Sequence, residues 1–220
     1  FVFDDNVNFN GSIAGNGSDT LNYSAYGATH PIAASITGTN SGSVLANSIT
    51  ANFTGINVIT GGAGDDTFDV GASGTIGTLI GGAGSNSLSA ANGSIWNISG
   101  SNAGNISGVV SSFTSMSSLT NTAGTDSFVF PDNVNFNGTI NGNGSDTLNY
   151  SAYGATHPIA ATISGNKAGN VVANSITANF TCMNVITGGA GDDTFDVGAS
   201  GIIGTLTGGA GSNSLSAANG

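Results

Sequence analysis

The residues best suited to chemistry are aspartates held in glycine turns. Gly61-Gly62-Ala63-Gly64-Asp65-Asp66-Thr67-Phe68-Asp69 is one such run, and Gly188-Gly189-Ala190-Gly191-Asp192-Asp193-Thr194-Phe195-Asp196 repeats it. Glycines let a tight turn aim backbone carbonyls inward, and Asp adds a hard anionic oxygen. This is donor chemistry for Ca²⁺, which takes six to eight oxygens, so two neighbouring turns would have to share an ion. Looser copies of the turn add three more acids, making Asp19, Asp66, Asp126, Asp146 and Asp193 the candidate calcium ligands. Asp66 is followed 20 residues on by Asn86 and Asp193 by Asn213, so only Asp126 with Asp146 offers two carboxylates. The same turns also read as metal-free corners, in which Asp and Asn side chains bond backbone N–H groups or stack as ladders.

A carboxylate pair for acid–base work is the second chemistry to weigh, since Asp65, Asp66 and Asp69 lie close together. Sites that cleave polysaccharides generally also draw on Arg, Lys or Glu to bind acidic sugars or tune a pKa. This chain has Lys167 and no Arg or Glu, so the sequence points away from an enzyme. His30-Pro31 and His157-Pro158 read as turns. Tyr23 and Tyr26, repeated as Tyr150 and Tyr153, could stack on sugar rings but read better as packing residues, as does Trp96. Cys182 stands where the first copy has Gly55, so no thiol chemistry is common to both copies.

The elements that position these turns follow from composition and repetition. The 220 residues carry a net charge of −11, only 6% charged residues and 37 glycines, and all 12 acids are Asp. No basic surface exists for nucleic acid. The strong helix formers Glu, Gln, Lys and Arg are nearly absent. No apolar run reaches the ~20 residues of a membrane helix. An apolar fraction of 38% is too high for an ordinary disordered tail.

Residues 1–93 recur as 128–220 with fourteen differences, so residues 1–127 form one repeat unit and 128–220 a second, truncated copy, read as continuous with no linker. Within the unit a half-unit repeats at a shift of 60, as in Phe53 to Val70 against Phe113 to Phe130. The turn residues Asp19, Asp66, Asn86, Asp126, Asp146, Asp193 and Asn213 are spaced by 47, 20, 40, 20, 47 and 20. A period near 20, with seven extra residues in each 47, is the size of one coil of a parallel β-solenoid. Short stretches such as Thr67 to Val70 alternate apolar and polar residues, the signature of strands. Stacking at this period places Phe68 over Leu88 and Phe128 over Leu148. At ~4.8 Å per coil the chain makes a rod on the order of 50 Å long. The inserted residues, near 28–43 and 155–170, form either a bulging loop or an added strand. Five of the fourteen differences fall within 35–41, which places that segment on the surface.

The two nine-residue runs fit G-G-x-G-x-D-x-U-x at every fixed position and resemble the RTX, or hemolysin-type, calcium-binding nonapeptide of secreted bacterial proteins. Phrases such as Ser18-Asp19-Thr20-Leu21-Asn22-Tyr23 are similar to segments of large repetitive bacterial surface proteins and adhesins. The resemblance implies an extracellular or cell-surface location, with calcium as the candidate cofactor.

The expectation is an all-β chain folded as a right-handed parallel β-solenoid with coils of about 20 residues. It would serve as a structural rod in a bacterial adhesin, fibre or sheath. Its partners would be copies of itself, or a surface or glycan reached through other domains, with no nucleic acid and no membrane insertion. The alternative is a calcium-dependent RTX-like folding or binding module. A β-helix carbohydrate enzyme is a more distant reading.

Overall fold

The computed structural model describes residues 1–91 and 95–218. Among the described residues every regular element is a strand. In chain order these are β1 (Gly11–Asn22), β2 (Ile32–Gly38), β3 (Ser41–Ala46), β4 (Ile49–Thr60), β5 (Thr67–Val70), β6 (Ile76–Ile80) and β7 (Ser87–Ala90). Next come β8 (Ile95–Gly100), β9 (Ala103–Ile106), β10 (Val110–Thr114), β11 (Ser118–Asn121) and β12 (Ser127–Val129). The second copy contributes β13 (Gly138–Asn149), β14 (Ala160–Gly165), β15 (Ala168–Ala173), β16 (Ile176–Thr187), β17 (Thr194–Val197), β18 (Thr205–Thr207) and β19 (Ser214–Ala217). They belong to one large, mostly parallel sheet. Two compact units form, residues 1–93 with 105–120 and residues 94–104 with 121–220.

In the first unit one ladder runs β1–β4–β3–β2–β5–β7. Its inward row is Ala51, Val44, Ala34, Phe68 and Leu88, each opposite the next. All five are buried. A second ladder, β1–β4–β6–β10, stacks Leu21, Ile59, Leu79 and Phe113, and these are also buried. Hiding each Leu, Ile or Phe from water contributes about 1.5–3 kcal/mol, before the entropy of ordering it. The second unit repeats the first ladder as β13–β16–β15–β14–β17–β19. Its other ladder, β8–β12–β13–β16–β18, stacks Trp96, Phe128, Leu148, Ile186 and Leu206. The expected pairs Phe68↔Leu88 and Phe128↔Leu148 are both present.

The inserted residues form an added strand. β3 runs antiparallel between β2 and β4, and β15 does the same between β14 and β16. Surface placement, expected from the clustered differences, holds for Ser35 to Ser41, none of which faces inward except Ile36. It fails for β3, whose Val44 and Ala46 are buried. Gly42 makes this strand fit. It lies opposite both Ile36 and Phe53, and a Cβ there would stand 1.9 Å from the Ser35 carbonyl oxygen. Asn47 and Ser48 then turn the chain into β4 with φ of 48° and 60°, the two left-handed positions of a tight two-residue hairpin.

Candidate functional site

Four of the five predicted acids are buried: Asp66, Asp126 and Asp193 at turns, and Asp146 not at the expected turn but within β13, at an irregularity in its pairing with β16. Asp66 follows the glycine turn and precedes β5. Its Oδ1 accepts the Ile32 N–H at 2.7 Å, and its Oδ2 accepts the Gly62 N–H at 2.7 Å. Asp193 does the same for Ile159 and Gly189, at 2.8 and 2.9 Å. Asp146 accepts from the Asn143 N–H (2.7 Å), the Asn121 amide (3.0 Å) and the Asp126 N–H (2.7 Å). Asp126 accepts the Trp96 indole N–H at 3.0 Å. Asp19 is only half-buried and accepts the Asn16 N–H at 2.7 Å.

These corners are chained at the 20-residue interval. The N–H of Asp66 donates to Asn86 Oδ1, that of Asp126 to Asp146 Oδ1, and that of Asp193 to Asn213 Oδ1. The distribution of Asp and Asn follows from the remaining partners. Position 66 meets two N–H donors, which only a carboxylate can satisfy with both oxygens. Asn86 instead points its amide at the carbonyls of Ala83 (2.9 Å) and Ser115 (3.0 Å), which need a donor. The first glycine of the pair makes room for the carboxylate and the second for the Tyr26 turn. A Cβ on Gly61 would sit 2.1 Å from Asp66 Oδ2, and one on Gly62 2.6 Å from the Tyr26 backbone.

Burial pushes the carboxyl groups of Asp66, Asp126 and Asp193 above the usual value of 3.8. At Asp66 and Asp193 the two N–H donors oppose that rise, and at Asp126 the Trp96 indole does so while the Asp146 charge adds to it. Both oxygens of Asp66 and of Asp193 thus face the positive ends of N–H dipoles. Such an environment repels a cation, and the partner one interval on is an amide. This donor set fits a backbone staple and does not fit a shared calcium turn, which needs six to eight oxygens free to converge. Among the described residues no group of three or more His, Cys, Asp or Glu is arranged to hold a metal.

Asp65, Asp66 and Asp69 diverge. Asp65 accepts the Ser85 N–H (2.7 Å), Asp69 accepts the Ser89 hydroxyl (2.6 Å), and Asp66 turns inward. Tyr23, Tyr26, Tyr150 and Tyr153 are buried, so none offers a stacking face, and Trp96 packs on Phe128 at 5.1 Å. His30 and His157 bond Asp5 and Asp132 at 2.8 and 2.9 Å. The Gly27 and Gly154 N–H groups, together with these imidazoles, hold the two carboxyls below the usual range. Cys182 is exposed at φ 56°, close to the 66° of Gly55.

Two buried polar residues, Asn121 and Asn135, escaped the sequence reading. Asn135 donates to the carbonyls of Val171 (3.1 Å) and Ile176 (2.8 Å) and accepts from Tyr150 Oη (2.8 Å) and the Phe136 N–H (2.9 Å). Its only signal is recurrence at Asn8 in an Asn-rich chain.

No family model, no curated protein and no solved structure matches this chain.

Two outcomes follow from the corner geometry. Asp66→Asn turns an amide N–H₂ toward a backbone N–H, and Asn86→Asp turns a carboxylate toward two carbonyls. Each is expected to lower stability by about 1–3 kcal/mol in urea unfolding at neutral pH, and the double exchange should not restore it. Changes within about 0.5 kcal/mol would show that the corners contribute little. Stability should also respond to acid in two stages. Asp66, Asp126 and Asp193 bind protons more tightly folded than unfolded, so their contribution grows as pH falls through their raised pKa values towards 3.8. Asp5 and Asp132 have lowered values, so their contribution is present above 3.8 and is lost as pH falls through those values. The thermal midpoint should hold or rise as pH falls from 7 towards 3.8 and drop at pH values below that. A steady fall from pH 7 would contradict the buried-carboxyl reading.

Proposed function

We propose that the chain is a right-handed parallel β-solenoid whose plain coils span about 20 residues, lengthened where β3 and β15 are inserted. Its function is to be a structural rod in a bacterial extracellular repeat protein, as part of a surface adhesin, fibre or sheath. The reading is carried by one observation. Backbone pairing and corner bonding share the same 20-residue offset, as in Phe68↔Leu88 and the Asp66 N–H to Asn86 bond. The handedness rests on the near-universal rule for parallel crossovers.

The mechanism is length. Each coil satisfies the backbone of the next, and near-identical repeats extend the stack without redesign. The acidic, almost Lys-free composition suits a surface that stays soluble by negative charge, while small side chains let neighbouring rods pack side by side. The rod performs no catalysis, and its other partners are a surface or glycan engaged by further domains.

A calcium-dependent RTX-like module is the competing reading, resting on the two complete nonapeptides. Small-angle scattering on chains lengthened by further 127-residue copies separates the two. The rod predicts about 30 Å of added length per copy, from six or seven strand spacings of ~4.8 Å, with constant cross-section in chelator. Growth in all three dimensions would contradict the rod, and an expanded chain in chelator would favour the calcium module.

A further inference from the structure

The two copies place one set of aromatic residues in two different surroundings. Phe1 and Phe9 are 52% and 49% exposed, whereas their counterparts Phe128 and Phe136 are 0% exposed. Val2 and Val7 are exposed beside the first pair, and the rings line a groove of about 440 Å³ with Phe3, Ile13 and Ala14. In the second unit the same face is covered by residues 95–102. Trp96 pairs with Phe128 and stacks on its ring, and Asn97 pairs with Val129. Ser101 O accepts the Asn137 N–H at 2.5 Å, and the Asn102 amide donates to Asn137 O at 2.9 Å.

The uncovered copy keeps the means to accept such a strand. Phe3 N–H donates to Asn22 O and Asn22 N–H to Phe1 O, so residues 1 and 3 bond toward β1. In a parallel ladder the intervening residue, Val2, directs its N–H and C=O to the opposite edge, where Val129 meets β8. Asn10 stands where the second copy has Asn137, whose N–H and C=O meet Ser101 and Asn102. An open strand edge beside an apolar groove is the geometry of strand addition.

We propose that the Phe1–Phe9 face is a docking surface whose occupant is a strand of the Ile95–Gly104 type supplied by another copy of the repeat. Trp96 would fill the groove against Phe1, and Ser101 and Asn102 would bond Asn10. The segment would thus be the joint that seats one repeat on the next. This deepens the rod reading and rests on it, but it can fail while the scattering length stands.

The probe is a synthetic peptide of residues Ile95–Gly104, fluorescently tagged and titrated with the 220-residue chain. The expected result is saturable one-site binding with half-saturation below about 1 mM. Hydrogen exchange at the Val2 amide should slow on binding. Phe9→Ser in the chain, or Trp96→Ala in the peptide, should weaken binding at least ~10-fold. Phe9 is exposed, so the variant chain should melt like the parent, which is checked directly. No saturation by about 5 mM, or binding that Phe9→Ser leaves unchanged, overturns the proposal.

Discussion

Turns between parallel strands leave backbone N–H groups that no neighbouring strand can reach, and everything else in this fold depends on how they are satisfied. A buried donor without a partner costs about 1–3 kcal/mol, a large fraction of the stability of any domain. Here the corners that follow Gly61-Gly62, Gly81-Gly82 and Gly188-Gly189 are each closed by one Asp or Asn, respectively Asp66, Asn86 and Asp193. Asp66 takes the Ile32 and Gly62 N–H groups, and its own N–H is taken by Asn86. One residue, through its side chain and its own N–H, therefore ties together three stretches of chain, and the arrangement recurs at Asp193. The apolar rows supply driving force, but burial is non-directional and does not by itself choose among registers. The corner bonds do, because a slip of one residue would strand both carboxylate oxygens.

This constraint explains composition that otherwise looks like low complexity. In the pairs Gly61-Gly62 and Gly188-Gly189 the first glycine stands where a Cβ would strike the inward carboxylate, and the second where it would strike the tyrosine turn, Tyr26 or Tyr153. Asp appears where two donors converge and Asn where carbonyls must be met as well. The scarcity of Lys and Arg is compatible with stability because the buried carboxylates are held by neutral N–H donors, from the backbone at Asp66 and Asp193 and also from Trp96 and Asn121 at Asp126 and Asp146, and not by ion pairs.

Strand positions were legible where alternation is local and turns are marked by glycine. Thr67 to Val70 lies where the pattern puts it, and the 20-residue interval fixed the partners of Phe68 and Phe128. The inserted strand was legible only as one of two alternatives, the other being a bulging loop. Ser41 to Ala46 has glycine at its second position and only one β-branched residue, and its fit depends on Phe53 and Ile36 crossing Gly42 from either side. The corner acids were legible as a set, but not their role. Glycine and Asp suit both an ion and a staple, and only the placement of Ile32, far away in sequence, distinguishes them. Asn135 was invisible for the same reason, since its partners lie 36 and 41 residues away.

The most direct measurement is hydrogen exchange, by nuclear magnetic resonance, at the amides of Ile32, Gly62, Asp66, Asp126 and Asp193, in chelator and in millimolar calcium. Protection close to that of the strand cores, equal in both solutions, is the result expected if side chains alone close the corners. Fast exchange in chelator that becomes slow with calcium would contradict it and make the corners metal sites.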